Sequence, residues 1–324
     1  MPIIKNSTYK SPVFLNNGHI QSIFPSMFRK IEFNDYKRDR IKTPDNDFLD
    51  LDWSKVGSNK LVVISHGLEG SSNRAYVKGM VKAMNNNGLD ALAWNFRSCS
   101  GEPNQTLRFY HNGATDDLDI VIKHAISENV YDEVILIGFS MGANLTLLYL
   151  GQQSAKLAKE IKKSVVFSAP CDLTTSSIKL AKFSNKIYMK RFLIMLHKKI
   201  IDKKKLFPFQ INDDGYEEIK SFKEFDDRYT APLHGFNNAE DYWNRCSCKP
   251  VLKDIKIPTL IVNAANDPFL SKECFPFEEA EKSEYVTLEV PKSGGHVGFV
   301  RFNENDLYWS EERALQFVNE NKNS

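Results

Sequence analysis

The chain has 324 residues, 42% of them hydrophobic and 26% charged, enough apolar matter for one large α/β domain with an insertion and too much for a disordered or fibrous protein. Its 43 basic residues against 41 acidic ones leave a formal charge of +2, too even a balance to argue for a nucleic-acid partner. The first residues lack the apolar core of a signal peptide and no apolar stretch is long enough to span a bilayer, so a cytoplasmic protein is expected; five scattered cysteines fit reduced thiols better than a disulfide framework.

From about residue 60 onward strands and helices alternate, the pattern of a mostly parallel sheet with helices on both faces. Leu61 to Ser65 reads as a buried strand and leads through His66-Gly67-Leu68-Glu69-Gly70 into a helix over Asn73 to Asn87, which Gly88 stops. Leu89 to Phe96 is the next strand. Thr115 to Ser127 is a helix, with Asp116 and Asp117 at its positive end and Val121, Ile122, Ala125 and Ile126 on its apolar face. Val134 to Ile137 is a strand, a helix follows to about Gly151, and Lys163 to Ser168 is the strand after it. Thr259 to Asn263 and Tyr285 to Val290 are two more strands, and Glu311 to Asn319 the last helix.

Residues 172–250 hold no convincing strand where the sheet needs its next one, so they read as an inserted cap, or lid, on a core of residues 1–171 and 251–324. Within it, Ile178 to Ile201 sets Leu180, Phe183, Ile187, Phe192 and Met195 among Lys179, Lys182, Lys186, Lys190, Arg191, Lys198 and Lys199. The expectation is a cap helix with its apolar face over the site and its lysines in water; the alternative is peripheral contact with an anionic membrane. Cys246-x-Cys248 has no second Cys or His pair at ligand spacing, which argues against a metal.

The strand at Val134 ends in Gly138-Phe139-Ser140-Met141-Gly142, a GxSxG between a buried strand and a helix. A serine hydroxyl needs a tight turn to stand clear of the sheet and a base to take its proton, and the flanking glycines permit that turn. In serine hydrolases built on such a sheet the acid and the histidine follow the nucleophile on loops after later strands. Asp267 follows Thr259 to Asn263 and His296 follows Tyr285 to Val290, so Ser140, Asp267 and His296 are the expected catalytic residues. His66 is the rival base and Asp172 the rival acid; His19, His111, His124, His197 and His234 read as structural or exposed. The backbone N–H groups of Leu68 and Met141 are the expected oxyanion donors. No cofactor is called for.

The segments Asn17-Gly18-His19-Ile20-Gln21, His66 to Ser72, Asn95-Phe96-Arg97-Ser98-Cys99-Ser100-Gly101, Tyr110-His111-Asn112-Gly113, Gly138 to Asn144 and Gly295-His296-Val297-Gly298-Phe299 together resemble the YheT-like branch of the α/β-hydrolase superfamily, over nearly the whole chain. The resemblance implies an α/β-hydrolase fold with a helical cap and an esterase or lipase-like serine hydrolase with its triad on Ser140, Asp267 and His296. Ser98 departs from it, standing where the group has glycine. The expected function is hydrolysis of a small-molecule carboxylic ester of short to medium acyl chain through an acyl-enzyme on Ser140. Phe183 and Phe192 of the cap are expected to line the acyl channel, and no arginine cluster in the sequence marks an alcohol group. Acyl transfer by the same acyl-enzyme and a catalytically silent binding protein are the alternatives.

Overall fold

The computed structural model describes residues 2–303 and 305–320. Its nine strands, β1 (Ile3–Ile4), β2 (Lys37–Lys42), β3 (Phe48–Ser54), β4 (Lys60–Ser65), β5 (Asp90–Asn95), β6 (Glu133–Phe139), β7 (Ile161–Phe167), β8 (Thr259–Val262) and β9 (Val286–Glu289), form one sheet in the order β1-β9-β8-β7-β6-β4-β5-β3-β2. Only the β2–β3 and β3–β5 pairings are antiparallel. The central strands are apolar on both faces: Leu61 and Val63 of β4 join the core on one side, Val62 and Ile64 that on the other.

Helices α1 (Gly18–Phe28), α2 (Ala75–Asn86), α3 (Thr115–Ser127) and α4 (Met141–Gln153) precede β7 or lie just ahead of it in the chain. Val77, Met80, Val81 and Met84 of α2 cover one face of the sheet, while Leu118, Val121 and Ile122 of α3 and nearly all of α4 cover the other. Between β7 and β8 run only helices: α5 (Leu173–Leu180), α6 (Lys186–Leu206), α7 (Phe222–Phe225), α8 (Ala231–Leu233) and α9 (Ala239–Cys246). They divide by packing. Residues from Leu180 to Tyr229 form a small core of their own around Met189, Leu193, Leu196 and Ile200, whereas Ala239, Tyr242, Trp243, Cys246 and Cys248 belong to the main core. Asn144 of α4 fastens that second part, donating to the Cys246 carbonyl at 2.9 Å and accepting from the Cys248 N–H at 3.0 Å. Two helices, α10 (Phe277–Glu281) and α11 (Trp309–Asn319), complete the chain. Among the described residues no helix is long and apolar enough to cross a membrane.

The antiparallel edge lies outside the alternation expected from residue 60 onward. In β2 and β3, Arg38 faces Asp52 and Arg40 faces Asp50 in register, and each guanidinium grips its carboxylate with two bonds of 2.7–2.9 Å. Cross-strand pairing of opposite charges stabilises such a ladder.

Candidate active site

Ser140 sits between the end of β6 and the first turn of α4 with φ 54° and ψ −116°, a backbone state that costs on the order of 1–3 kcal/mol for a non-glycine residue. Close packing imposes it. A Cβ at Gly138 would lie 2.5 Å from the Gly142 carbonyl oxygen, and one at Gly142 would lie 2.4 Å from that of Ser65, so both positions admit only glycine. The turn leaves the hydroxyl half-exposed, above a sheet whose neighbouring strands are buried.

His296 Nε2 lies 2.8 Å from Ser140 Oγ and its Nδ1 lies 2.8 Å from Asp267 Oδ2. Asp267 is fully buried at its side chain, and its other oxygen accepts the Phe269 N–H at 2.8 Å, which fixes the carboxylate plane toward the imidazole. The structure therefore brings the three expected residues into one hydrogen-bonded chain. The His296 loop is held from four sides. Its Gly294 and His296 N–H groups donate to Gln21 Oε1 and Ser22 Oγ of α1, that of Gly295 to Asn266 Oδ1, and that of Val297 to Ser168 Oγ, all within 2.7–3.0 Å. The positioning role of α1 has no signal in the sequence beyond the place of Asn17 to Gln21 among the segments that carry the family resemblance. Gly18 is forced by the same contact, since a Cβ there would fall 2.0 Å from the Asn266 carbonyl oxygen.

Neither rival reaches the serine. His66 is fully buried, its Nδ1 2.8 Å from the Gly67 carbonyl and its Nε2 accepting the Phe96 N–H at 3.1 Å, and burial holds its pKa down to about 3. A neutral ring with both nitrogens bound to backbone braces the loop that carries Leu68. Asp172 caps α5 instead, accepting from the Thr175 N–H and hydroxyl, each at 2.9 Å. Leu68 and Met141 both border Ser140; Met141 opens α4, where first-turn N–H groups have no partner within the helix. A Cβ on Gly67 would lie 3.2 Å from that of Ser140, so the loop passes as close to the serine as its backbone allows.

Two cavities meet at Ser140 and His296. The first, about 130 Å³, has apolar walls that include Leu68, Leu180, Phe192, Leu196 and Phe269. Its lining also has a polar part. A short π-helical turn, Asp226–Thr230, presents Asp226, Tyr229 and Thr230 there, beside His111 and His234. Burial pushes the Asp226 carboxyl up to about 7, against the Trp243 Nε1–H (2.8 Å) and Thr230 hydroxyl (2.5 Å) that it accepts. Burial also lowers the pKa of His111 and of His234, whose rings lie 4.4 Å apart. Both histidines border the cavity.

Two expectations about residues 172–250 are corrected. Phe183 does not line the cavity; it is 88% exposed on a 3-10 turn before α6, because the inward face of α6 runs through Met189, Phe192, Leu193, Leu196 and Ile200 at helical spacing and leaves Phe183 and Ile187 outside it. Nor are all the lysines in water. Lys179 Nζ donates to the Asp267 and Leu270 carbonyls, Lys199 to the Ser98 carbonyl, and the fully buried Lys203 to those of Asn104 and Thr106, so they lash α5 and α6 to loops of the core. Four cations distant in sequence, Lys30, Arg74, Lys78 and Arg191, line the second cavity. Ser98 adopts φ 62°, where glycine is favoured, and its hydroxyl offsets the strain by bonding Asn104 Oδ1 at 2.6 Å and the Asn104 N–H at 3.0 Å.

Residues 57–297 match the Hydrolase_4 family, serine aminopeptidase S33. The chain belongs to this family of α/β-hydrolases. It is 34% identical to YheT of Escherichia coli (strain K12), whose designation as an esterase is provisional, over 88% of this chain and 85% of that one. It is 28% identical to human phospholipase ABHD3 over 92% of this chain and 75% of the relative. Among solved structures, an esterase of Pyrococcus furiosus shares the fold with a TM-score of 0.59 and 20% identity, over 87% of this chain and 89% of that one.

Proposed function

We propose that the protein hydrolyses carboxylic esters of short acyl chain through an acyl-enzyme on Ser140. The observation that carries this is the Asp267–His296–Ser140 hydrogen-bond chain, with both links at 2.8 Å, ending on a serine that faces an apolar cavity. The esterase and phospholipase names of the relatives support the ester bond as the one cleaved.

In this reading His296 Nε2 takes the proton as Ser140 Oγ adds to the acyl carbonyl, and Asp267 holds the ring and stabilises its cationic form. The Leu68 and Met141 N–H groups receive the developing oxyanion. His296 returns the proton to the departing alcohol, and water, activated by the same imidazole, releases the acid. The acyl chain lies in the first cavity. Its volume of about 130 Å³ compares with about 150 Å³ for a protein cavity that holds one benzene, which suits a chain of about six carbons. Residues 172–250, of which α5, α6 and the Asp226–Thr230 turn border that cavity, act as its cap.

A fluorophosphonate probe should label Ser140, and Ser140→Ala should abolish both labelling and p-nitrophenyl hexanoate turnover. Labelling that persists in Ser140→Ala, or a folded wild type that neither reacts with the probe nor cleaves the ester, refutes the assignment.

A further inference from the structure

The second cavity, about 500 Å³, meets the first at Leu68, Ser140, Phe192, Phe269 and His296, which line both, and the rest of its wall differs in charge from that of the first. Lys30 follows α1, Arg74 and Lys78 stand at the start of α2, and Arg191 projects from the second turn of α6. Arg29 borders the cavity too but is spent on Glu311 at 2.7 Å and over the Tyr308 ring. Among the described residues Glu69 is the one carboxylate in the lining; its Oε1 accepts the Tyr110 hydroxyl at 2.5 Å and lies 3.8 Å from Lys199 Nζ, so its charge is engaged elsewhere. Arg74 Nη2 donates to the Glu69 backbone carbonyl at 2.7 Å, which anchors that guanidinium at the wall and leaves its charge unneutralised. Among the described residues, none of Lys30, Arg74, Lys78 and Arg191 is ion-paired to a carboxylate.

Four like charges gathered around one cavity repel one another, and the arrangement becomes favourable when an anion enters. We propose that this cavity receives the alcohol half of the ester and that this alcohol carries an anionic group, a phosphate or a carboxylate. The inference rests on the ester-hydrolase reading above for its orientation: with the acyl chain in the apolar pocket, the leaving oxygen faces the cationic one. The guanidinium groups of Arg74 and Arg191 offer paired donors to such an anion, and Lys30 and Lys78 add point charges.

The test uses three hexanoyl esters: of glycerol, of glycerol 3-phosphate and of glyceric acid. At low ionic strength kcat/KM for one or both anionic esters should exceed that for the glycerol ester by about tenfold or more, and the excess should shrink as salt rises toward about 0.5 M. Which anionic ester leads identifies phosphate or carboxylate as the group bound. In the double variant Lys30→Gln/Arg191→Gln, both at solvent-facing positions, the anionic-to-neutral ratio should fall about tenfold. A ratio near one, insensitive to salt and to both substitutions, overturns the proposal. Calorimetric binding of the same three esters to Ser140→Ala reads the preference without turnover. If no ester is cleaved by the wild type while the anionic esters still bind Ser140→Ala more tightly than the neutral one, the ester-hydrolase reading fails and the anion site stands; equal binding of all three removes the site.

Discussion

Replacing Asp226 by Asn should stabilise the protein at about pH 8 far more than at about pH 5. The carboxyl is buried in the wall of the first cavity, and loss of hydration raises its pKa from 3.8 to about 7, with Asp227 adding to the effect and the Thr230 and Trp243 donors opposing it. An acid whose pKa is raised on folding binds more protons folded than unfolded over that interval. Its contribution is therefore most favourable below about pH 4, is lost as pH rises through about 7, and is level above. From a span of 3.8 to about 7, the full penalty for ionising in place is on the order of 4 kcal/mol, of which about 3 kcal/mol develops between pH 5 and pH 8.

Asparagine keeps both bonds. Its Oδ1 accepts from Trp243 Nε1, its Nδ2 donates to the Thr230 hydroxyl, and its volume is nearly unchanged. Urea unfolding of wild type and Asp226→Asn at the two pH values isolates this site, since the other carboxylates cancel in the difference. The stabilisation should grow by about 3 kcal/mol from the lower to the higher pH, equivalent to about 5 °C in Tm. A difference that does not change with pH would mean that Asp226 stays ionised in the fold, and the reasoning from burial would be wrong.

Asp267→Asn should lower kcat on the order of 10⁴-fold, by disturbing the imidazole tautomer, while Asp172→Ala leaves turnover within a few-fold and costs about 1 kcal/mol of stability as a lost helix cap, read by steady-state kinetics and urea unfolding. Arg97→Met should cost about 3–5 kcal/mol in the same unfolding assay, because the guanidinium that is 1% exposed joins Asp47 at 2.8 Å and Asp117 at 2.7 Å, and its loss strands both buried carboxylates. In a p-nitrophenyl ester series, kcat/KM should rise about fourfold per methylene up to about six carbons and then level; Phe192→Ala should move that limit to longer chains, and Phe183→Ala should leave the profile unchanged.

What the sequence disclosed and what it withheld divide along the distance over which each feature is decided. The strands β4 and β6 announce themselves because burial on both faces demands continuous Val, Ile and Leu, and Ser140 because a strand-to-helix turn of that tightness demands Gly138 and Gly142. Asp267 and His296 were legible as residues at strand ends, where a parallel sheet exposes its carboxyl edge. Features made by segments meeting from afar left no local trace. Arg38 and Arg40 look like a solvated run until Asp52 and Asp50 arrive from the next strand. Lys203 sits in an apparently water-facing lysine stretch until the Asn104 and Thr106 carbonyls close on it, and burial then lowers its pKa to about 8. Phe183 and Phe192 are equally apolar, and only the start of α6 decides which one faces the pocket. The cationic cavity is the extreme case: positions 30, 74, 78 and 191 carry no motif, yet the end of α1, the start of α2 and α6 bring them around one cavity. The transferable point is an asymmetry. The machinery that breaks a bond must satisfy strict backbone geometry and so writes itself into short motifs, whereas the surfaces that choose a substrate need only charge and shape at the right place in space, and any helix that passes there can supply them.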